Sequence, residues 1–141
     1  MAWPAISPVR YNATVRECNM RRILLVEDEF ITALSLKTML ETEGHFSCKM
    51  TGNGQNAIEL CKKFKPELMI IDIGLPGVLD GIETYEVISN QAEMPVIFIS
   101  GYSDERNQSR AEEMNPIGYF IKPLVESKLL EVIESYFDDN L

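Results

Sequence analysis

The stretch Glu67-Leu-Met-Ile-Ile-Asp72-Ile-Gly-Leu-Pro-Gly77 carries four apolar residues straight to a carboxylate and then turns through Gly and Pro. The apolar run is short, bounded by turn residues and without alternation, which fits a strand buried on both faces. Its tip is Asp72, an ionisable group delivered by residues that belong in a core. The reading of the fold starts from this strand and extends in both directions.

Upstream, Ile23-Leu-Leu-Val26 is a second run of the same kind. A helical stretch follows it to about Glu43 and stops at Gly44, with Phe30, Ile31, Ala33, Leu34, Leu36 and Leu40 on a broad apolar face. His45 to Met50 alternates weakly and reads as a strand. Residues 55–64 put Ala57, Leu60, Cys61 and Phe64 on one helical face before Pro66 ends it. Downstream come a helix over 81–91, a strand at Pro95–Ile99, a helix poor in apolar residues over 104–114, a strand at Ile117–Ile121, and a last helix with Val125, Leu129, Val132, Ile133 and Tyr136 on one face. Strands alternating with helices imply an α/β fold, a parallel sheet wrapped on both sides. Right-handed crossovers narrow this to a doubly wound sheet of five strands, for which the order 2-1-3-4-5 is expected. Residues 1–19, with Pro4 and Pro8 and no clear periodicity, read as a flexible extension ahead of one compact domain over 20–141.

Of the 141 residues, 22 are acidic and 13 basic, a net charge of −9. That balance repels phosphate backbones and argues against direct nucleic-acid binding. Cys18, Cys48 and Cys61 make an odd count without Cys-x-x-Cys spacing, so reduced thiols and a cytoplasmic protein are expected. No apolar run approaches the ~20 residues of a membrane helix, so no membrane insertion is expected.

In a doubly wound sheet, ligands bind at the carboxyl ends of the strands. Glu27 and Asp28 follow the first strand, Asp72 ends the third, Ser100 ends the fourth, and Lys122 follows the fifth. Taken singly, each has an ordinary reading: Asp28 as a helix cap, Glu27 and Glu29 as solvated acids, Asp72 as a turn residue, Ser100 as a loop cap. Together they place three acids, a hydroxyl and an ammonium at one edge. Two like charges ~4 Å apart repel by ~4 kcal/mol at an effective dielectric of ~20. A hard divalent cation with oxygen ligands, Mg2+ above all, would offset that cost. Metal, carboxylate and Lys122 together suit transfer of a phosphoryl group to a carboxylate nucleophile.

Four segments in order, Leu25-Val-Glu-Asp-Glu29, Ile71-Asp-Ile-Gly-Leu-Pro-Gly77, Ile97-Phe-Ile-Ser-Gly101 and Gly118-Tyr-Phe-Ile-Lys-Pro123, resemble the receiver domain of two-component response regulators over about residues 20–141. The resemblance implies a flavodoxin-like, CheY-like fold and a set of roles. Asp72 would accept a phosphoryl group from a phosphohistidine on a sensor histidine kinase or phosphotransfer protein. Asp28 and Asp72 would hold Mg2+, joined by the backbone carbonyl of Gly74 and, through water, by Glu27. Lys122 and Ser100 would contact the phosphoryl group, for which small Gly101 leaves room, and Tyr119 would turn inward as Ser100 moves. The chain would catalyse only its own phosphorylation and dephosphorylation. It would act as a stand-alone receiver on an unknown downstream protein target, or pass the phosphoryl group on. The face of the fourth helix, fifth strand and fifth helix would be its docking or homodimerising surface. One departure stands out: Pro76-Gly-Val-Leu-Asp-Gly81 is one residue longer than the Pro-Gly-x-Asp-Gly of many receivers, and phosphorylation is expected to survive it.

Other classes fit less well. A haloacid-dehalogenase-type phosphatase needs a second Asp two residues after the first, where this chain has Gly74. A flavodoxin-like electron carrier needs a Ser/Thr/Gly-rich phosphate loop where Glu27-Asp28-Glu29 stands. A degenerate receiver that only binds partners would not need the full acid, hydroxyl and lysine set.

Overall fold

The computed structural model describes residues 20–101 and 105–141. The expected extension, residues 1–19, lies outside the described residues. Five parallel strands, β1 (Arg22–Val26), β2 (Ser47–Thr51), β3 (Leu68–Asp72), β4 (Val96–Ser100) and β5 (Gly118–Ile121), form one sheet in the order β2-β1-β3-β4-β5. The helices are α1 (Phe30–Thr42), α2 (Gly54–Phe64), α3 (Gly81–Ser89), α4 (Glu105–Glu112) and α5 (Glu126–Asp139). Fold class and strand order are those read from the sequence.

The central strands are apolar throughout because both their faces are covered. Successive side chains alternate between two core layers, as strand geometry requires. Ile23, Leu25, Leu68, Ile70, Ile97 and Ile99 meet α1 and α5 through Leu36, Leu40, Leu129 and Ile133. Leu24, Val26, Met69, Ile71 and Phe98 meet the opposite helices through Ala57, Ile82, Tyr85 and Ala111. All five residues of β3 are buried. At about 1.5–3 kcal/mol per fully buried aliphatic side chain, its four apolar residues contribute enough to hold Asp72 where an ion alone would not settle.

Registers bring the strand ends level: Val26 pairs with Thr51 and Ile71, Asp72 with Ile99, and Ser100 with Ile121. Local chemistry fixes the helices that lead away. Asn53 caps α2 by accepting from the Asn56 amide. Asp80 and Glu83 form a reciprocal capping box at the start of α3.

Several boundaries differ from the sequence reading by a residue or two. β2 runs to Thr51, α3 stops at Ser89, α4 at Glu112, and β5 begins at Gly118. The broad apolar face expected of α1 is only partly used. Ala33, Leu36, Met39 and Leu40 are buried, whereas Phe30, Ile31 and Leu34 stand in solvent. The sheet covers an arc of the helix narrower than its apolar residues span. Val125 is likewise exposed at the N-cap of α5, and Phe137 takes a core place instead.

Candidate functional site: an acidic pocket at the carboxyl ends of the strands

β1 and β3 are neighbours, so the residues beyond them converge. Carboxylate oxygens of Glu27, Asp28 and Asp72 lie within 4.8 Å of one another. Glu27 and Asp72 are buried and Asp28 is exposed. Asp28 does not cap α1; that position belongs to Glu29, whose side chain makes no cap hydrogen bond.

One ammonium serves this group. Lys122 Nζ donates to Glu27 Oε1 at 2.9 Å, to Asp72 Oδ2 at 2.9 Å and to Glu29 Oε1 at 3.1 Å. The Lys122 amide donates to the Ser100 carbonyl at 2.8 Å, which ties the end of β5 to the end of β4. The second oxygen of Asp72, Oδ1, accepts from the Gly74 amide at 2.9 Å. Ser100 is buried at the end of β4. The structure places Glu27, Asp28, Asp72, Gly74, Ser100 and Lys122, the residues singled out in the sequence, around one pocket. The sequence reading left out Glu29 as a partner of Lys122, which the run of three acids at 27–29 could have signalled.

The electrostatics are unbalanced. Burial, above all, and the adjacent Asp72 push the Glu27 carboxyl up to about 8, against the pull of Lys122. Burial also works against ionised Asp72. Hydrogen bonding with Glu27, Lys122 and Gly74 outweighs it, so Asp72 stays below the usual carboxylate range. Burial works to lower Lys122, and its acidic partners raise it above the ordinary lysine value.

A cavity of ≈ 400 Å³ opens over Asp72, walled by Asp28, Gly74, Ser100, Asn107 and Lys122. Among the described residues, a side chain at Gly101 would meet nothing within 4 Å. Behind the cavity, Glu27 borders a second space of ≈ 330 Å³ between α1 and Lys122–Leu124. Glu27 Oε2 is buried with no hydrogen-bond partner among the described residues. An orphaned carboxylate oxygen beside two further acids is an oxygen donor set suited to a hard divalent cation. Tyr119 packs partly buried against the layer of Met69, Ile71 and Phe98, and its hydroxyl is buried without a partner among the described residues.

A parallel sheet of this order with an acid trio, a lysine and a hydroxyl at its carboxyl edge defines a receiver-type module. The sequence matches the response regulator receiver domain over residues 23–134, and the chain belongs to that family, the receivers of two-component systems. Among curated relatives, the transcriptional regulatory protein PdtaR of Mycobacterium tuberculosis is 33% identical over 81% of this chain, which spans 55% of that protein's length. Protein PilH of Pseudomonas aeruginosa is 31% identical, with 82% of this chain and 97% of that protein covered. Among solved structures, a CheY-like receiver domain protein from Methanospirillum hungatei superposes with a TM-score of 0.80 at 26% identity, covering 86% of this chain and 96% of that one. The signal receiver domain of a modulated diguanylate cyclase from Desulfovibrio desulfuricans matches with a TM-score of 0.75 at 32% identity, covering 83% and 93%. Members of this family are normally non-catalytic signalling modules that bind Mg2+ through an acidic pocket, and Glu27, Asp28 and Asp72 form a group of that kind here.

Proposed function

We propose that Asp72 accepts a phosphoryl group from a phosphohistidine on a sensor histidine kinase or phosphotransfer protein, and that the phosphorylated chain signals to a partner protein or passes the group on. The observation that carries this reading is the setting of Asp72. It is a buried carboxylate held by Lys122 and the Gly74 amide, beneath a cavity with room for a phosphoryl group.

In the transfer, a carboxylate oxygen of Asp72 bonds to phosphorus as the phosphorus–nitrogen bond breaks, and the imidazole leaves. Mg2+ would be held by Asp28 and Asp72 with the Gly74 carbonyl, and by Glu27 through water, and would supply charge neutralisation for the phosphoryl oxygens. Lys122 leaves its acid partners for a phosphoryl oxygen, and Ser100 donates its hydroxyl to another. The product places a charge of about −1.5 to −2 in the pocket. Drawing Ser100 toward it frees space on the β5 side, into which the ring of Tyr119 packs further, a two-state rearrangement.

The α4–β5–α5 face is then the surface that a target or a second copy reads. The work is done in the cytoplasm, which suits the free thiols Cys48 and Cys61. The test is direct. Protein incubated with Mg2+ and acetyl phosphate should gain the mass of one phosphoryl group, and Asp72→Asn should gain none. An unchanged mass in the parent protein would favour a receiver that only binds partners.

A further inference from the structure

We propose that Asn107, on the first turn of α4, donates an amide hydrogen to an oxygen of the phosphoryl group on Asp72, an inference that rests on Asp72 being the acceptor. A phosphoryl group brings oxygens that accept hydrogen bonds, so the walls around it have to donate. Four of the side chains that wall the cavity over Asp72 are carboxylates, Asp28, Glu29, Asp72 and Asp80. Ionised carboxylates only accept. The side-chain donors among the described walls are Lys122, Ser100 and Asn107. Lys122 is already divided among Glu27, Glu29 and Asp72. The Asn107 amide nitrogen carries two hydrogens, and among the described residues it has no hydrogen-bond partner.

The residues behind Asn107 turn its amide the right way. Arg110 Nη1 donates to Asn107 Oδ1 at 3.1 Å. A guanidinium has donors and no acceptor, so the amide atom that faces it is the oxygen, and the nitrogen is left for the cavity. Arg110 is placed in turn by Asp80, whose Oδ2 lies 3.0 Å from Nη2. Asp80 is fixed at the head of α3: its Oδ1 accepts from the Glu83 amide at 2.8 Å, and its own amide donates to Glu83 Oε1 at 2.9 Å. Arg110 is not among the residues that wall the cavity, whereas Asn107 is. The relay from Asp80 through Arg110 therefore acts by orienting the Asn107 amide. A donor oriented before the reaction costs no rearrangement when charge arrives.

Alanine is the best helix former, so Asn107→Ala removes the donor while leaving α4 able to form. With Mg2+ and acetyl phosphate, this variant should be phosphorylated about tenfold more slowly than the parent, the worth of a hydrogen bond to a charged group. A second readout separates contact from structure. Beryllium trifluoride with Mg2+ is a stand-in for the phosphoryl group on Asp72, and its fluorines take the places of the phosphoryl oxygens. In 19F NMR of that complex, Asn107→Ala should move the signal of one fluorine and leave the others where they stand in the parent. A rate equal to the parent's, or fluorine signals that all move together or all stay, would overturn the role of Asn107 and leave Asp72 as the acceptor. A parent that takes up no phosphoryl group would overturn the acceptor assignment and this inference with it.

Discussion

The two ends of the sheet treat their acids in opposite ways. At the amino end, Glu67 stands before β3 and is served twice over: Arg21 Nη1 donates to its Oε2 at 2.9 Å and the Arg22 amide to its Oε1 at 3.1 Å, with the Arg22 guanidinium at 3.5 Å. At the carboxyl end, Lys122 is divided among Glu27, Glu29 and Asp72. Partial burial works against ionised Glu67, but hydrogen bonds and charge from the two arginines prevail and its carboxyl titrates lower than usual. Glu27 titrates higher, at about 8. The same residue type in the same sheet is a finished structural contact at one end and an unmet demand for positive charge at the other. An unmet demand of that kind marks a functional site, because stability alone would have removed it.

Mg2+ should separate the two ends most sharply. At about a hundredfold excess over its dissociation constant, Mg2+ should stabilise the protein by about 2.7 kcal/mol, read as a raised urea midpoint. Asp28→Asn should lose that gain, and Glu67→Gln should keep it. An equal response in both variants would erase the contrast.

Next comes the fit of α3 against β3. A methyl group on Gly81 would lie 2.2 Å from the Asp72 carbonyl oxygen and 2.8 Å from the Ile73 Cα. Gly81→Ala should therefore cost about 2–3 kcal/mol and also lower phosphorylation, since backbone has to move. Gly101→Ala, which meets nothing within 4 Å among the described residues, should be near neutral for stability. Urea denaturation of both variants checks this.

In metal-free buffer the ends should answer pH with opposite signs. Glu27 keeps its proton longer in the folded state. Its contribution is complete below its ordinary value of 4.5 and is lost as pH climbs to about 8. Stability in chelator should fall across that window by an amount on the order of 2 kcal/mol, and Glu27→Gln should flatten the decline. Glu67 runs the other way. Its contribution is present above 4.5 and disappears as pH drops through its lowered folded value. The effect is the smallest of the set, below about 1 kcal/mol, because the pair is partly exposed. Glu67→Gln should flatten only the acid limb.

The sheet was legible because its signal is local. Short runs such as Leu68–Ile71, bounded by turn residues, fit strands covered on both faces, and their alternation with helices gives a doubly wound parallel sheet. The acid trio was legible for the same reason, each member sitting next to such a run. Long-range polar pairing was not. Arg110 and Asp80 lie 30 positions apart on different helices, and Arg21 and Glu67 meet across 46. No spacing rule links them, since the contact depends on how whole elements dock. The exposed flank of α1 was missed for a related reason. Phe30, Ile31 and Leu34 have the composition of a core, and only the width of the sheet beneath them decides that they stay outside.

The segment between Ile73 and Gly81 carries a further consequence. Its two ends are pinned to each other by the Gly81 amide on the Ile73 carbonyl, while Val78 at its crest is almost wholly in solvent. Length changes there should be absorbed as a bulge that leaves Asp72 in place. A single residue inserted within Leu68–Asp72 would instead exchange every side chain between the two core layers. Natural variation in chain length among such domains should therefore gather on the crest, where lineages can remodel what neighbours see without touching the chemistry.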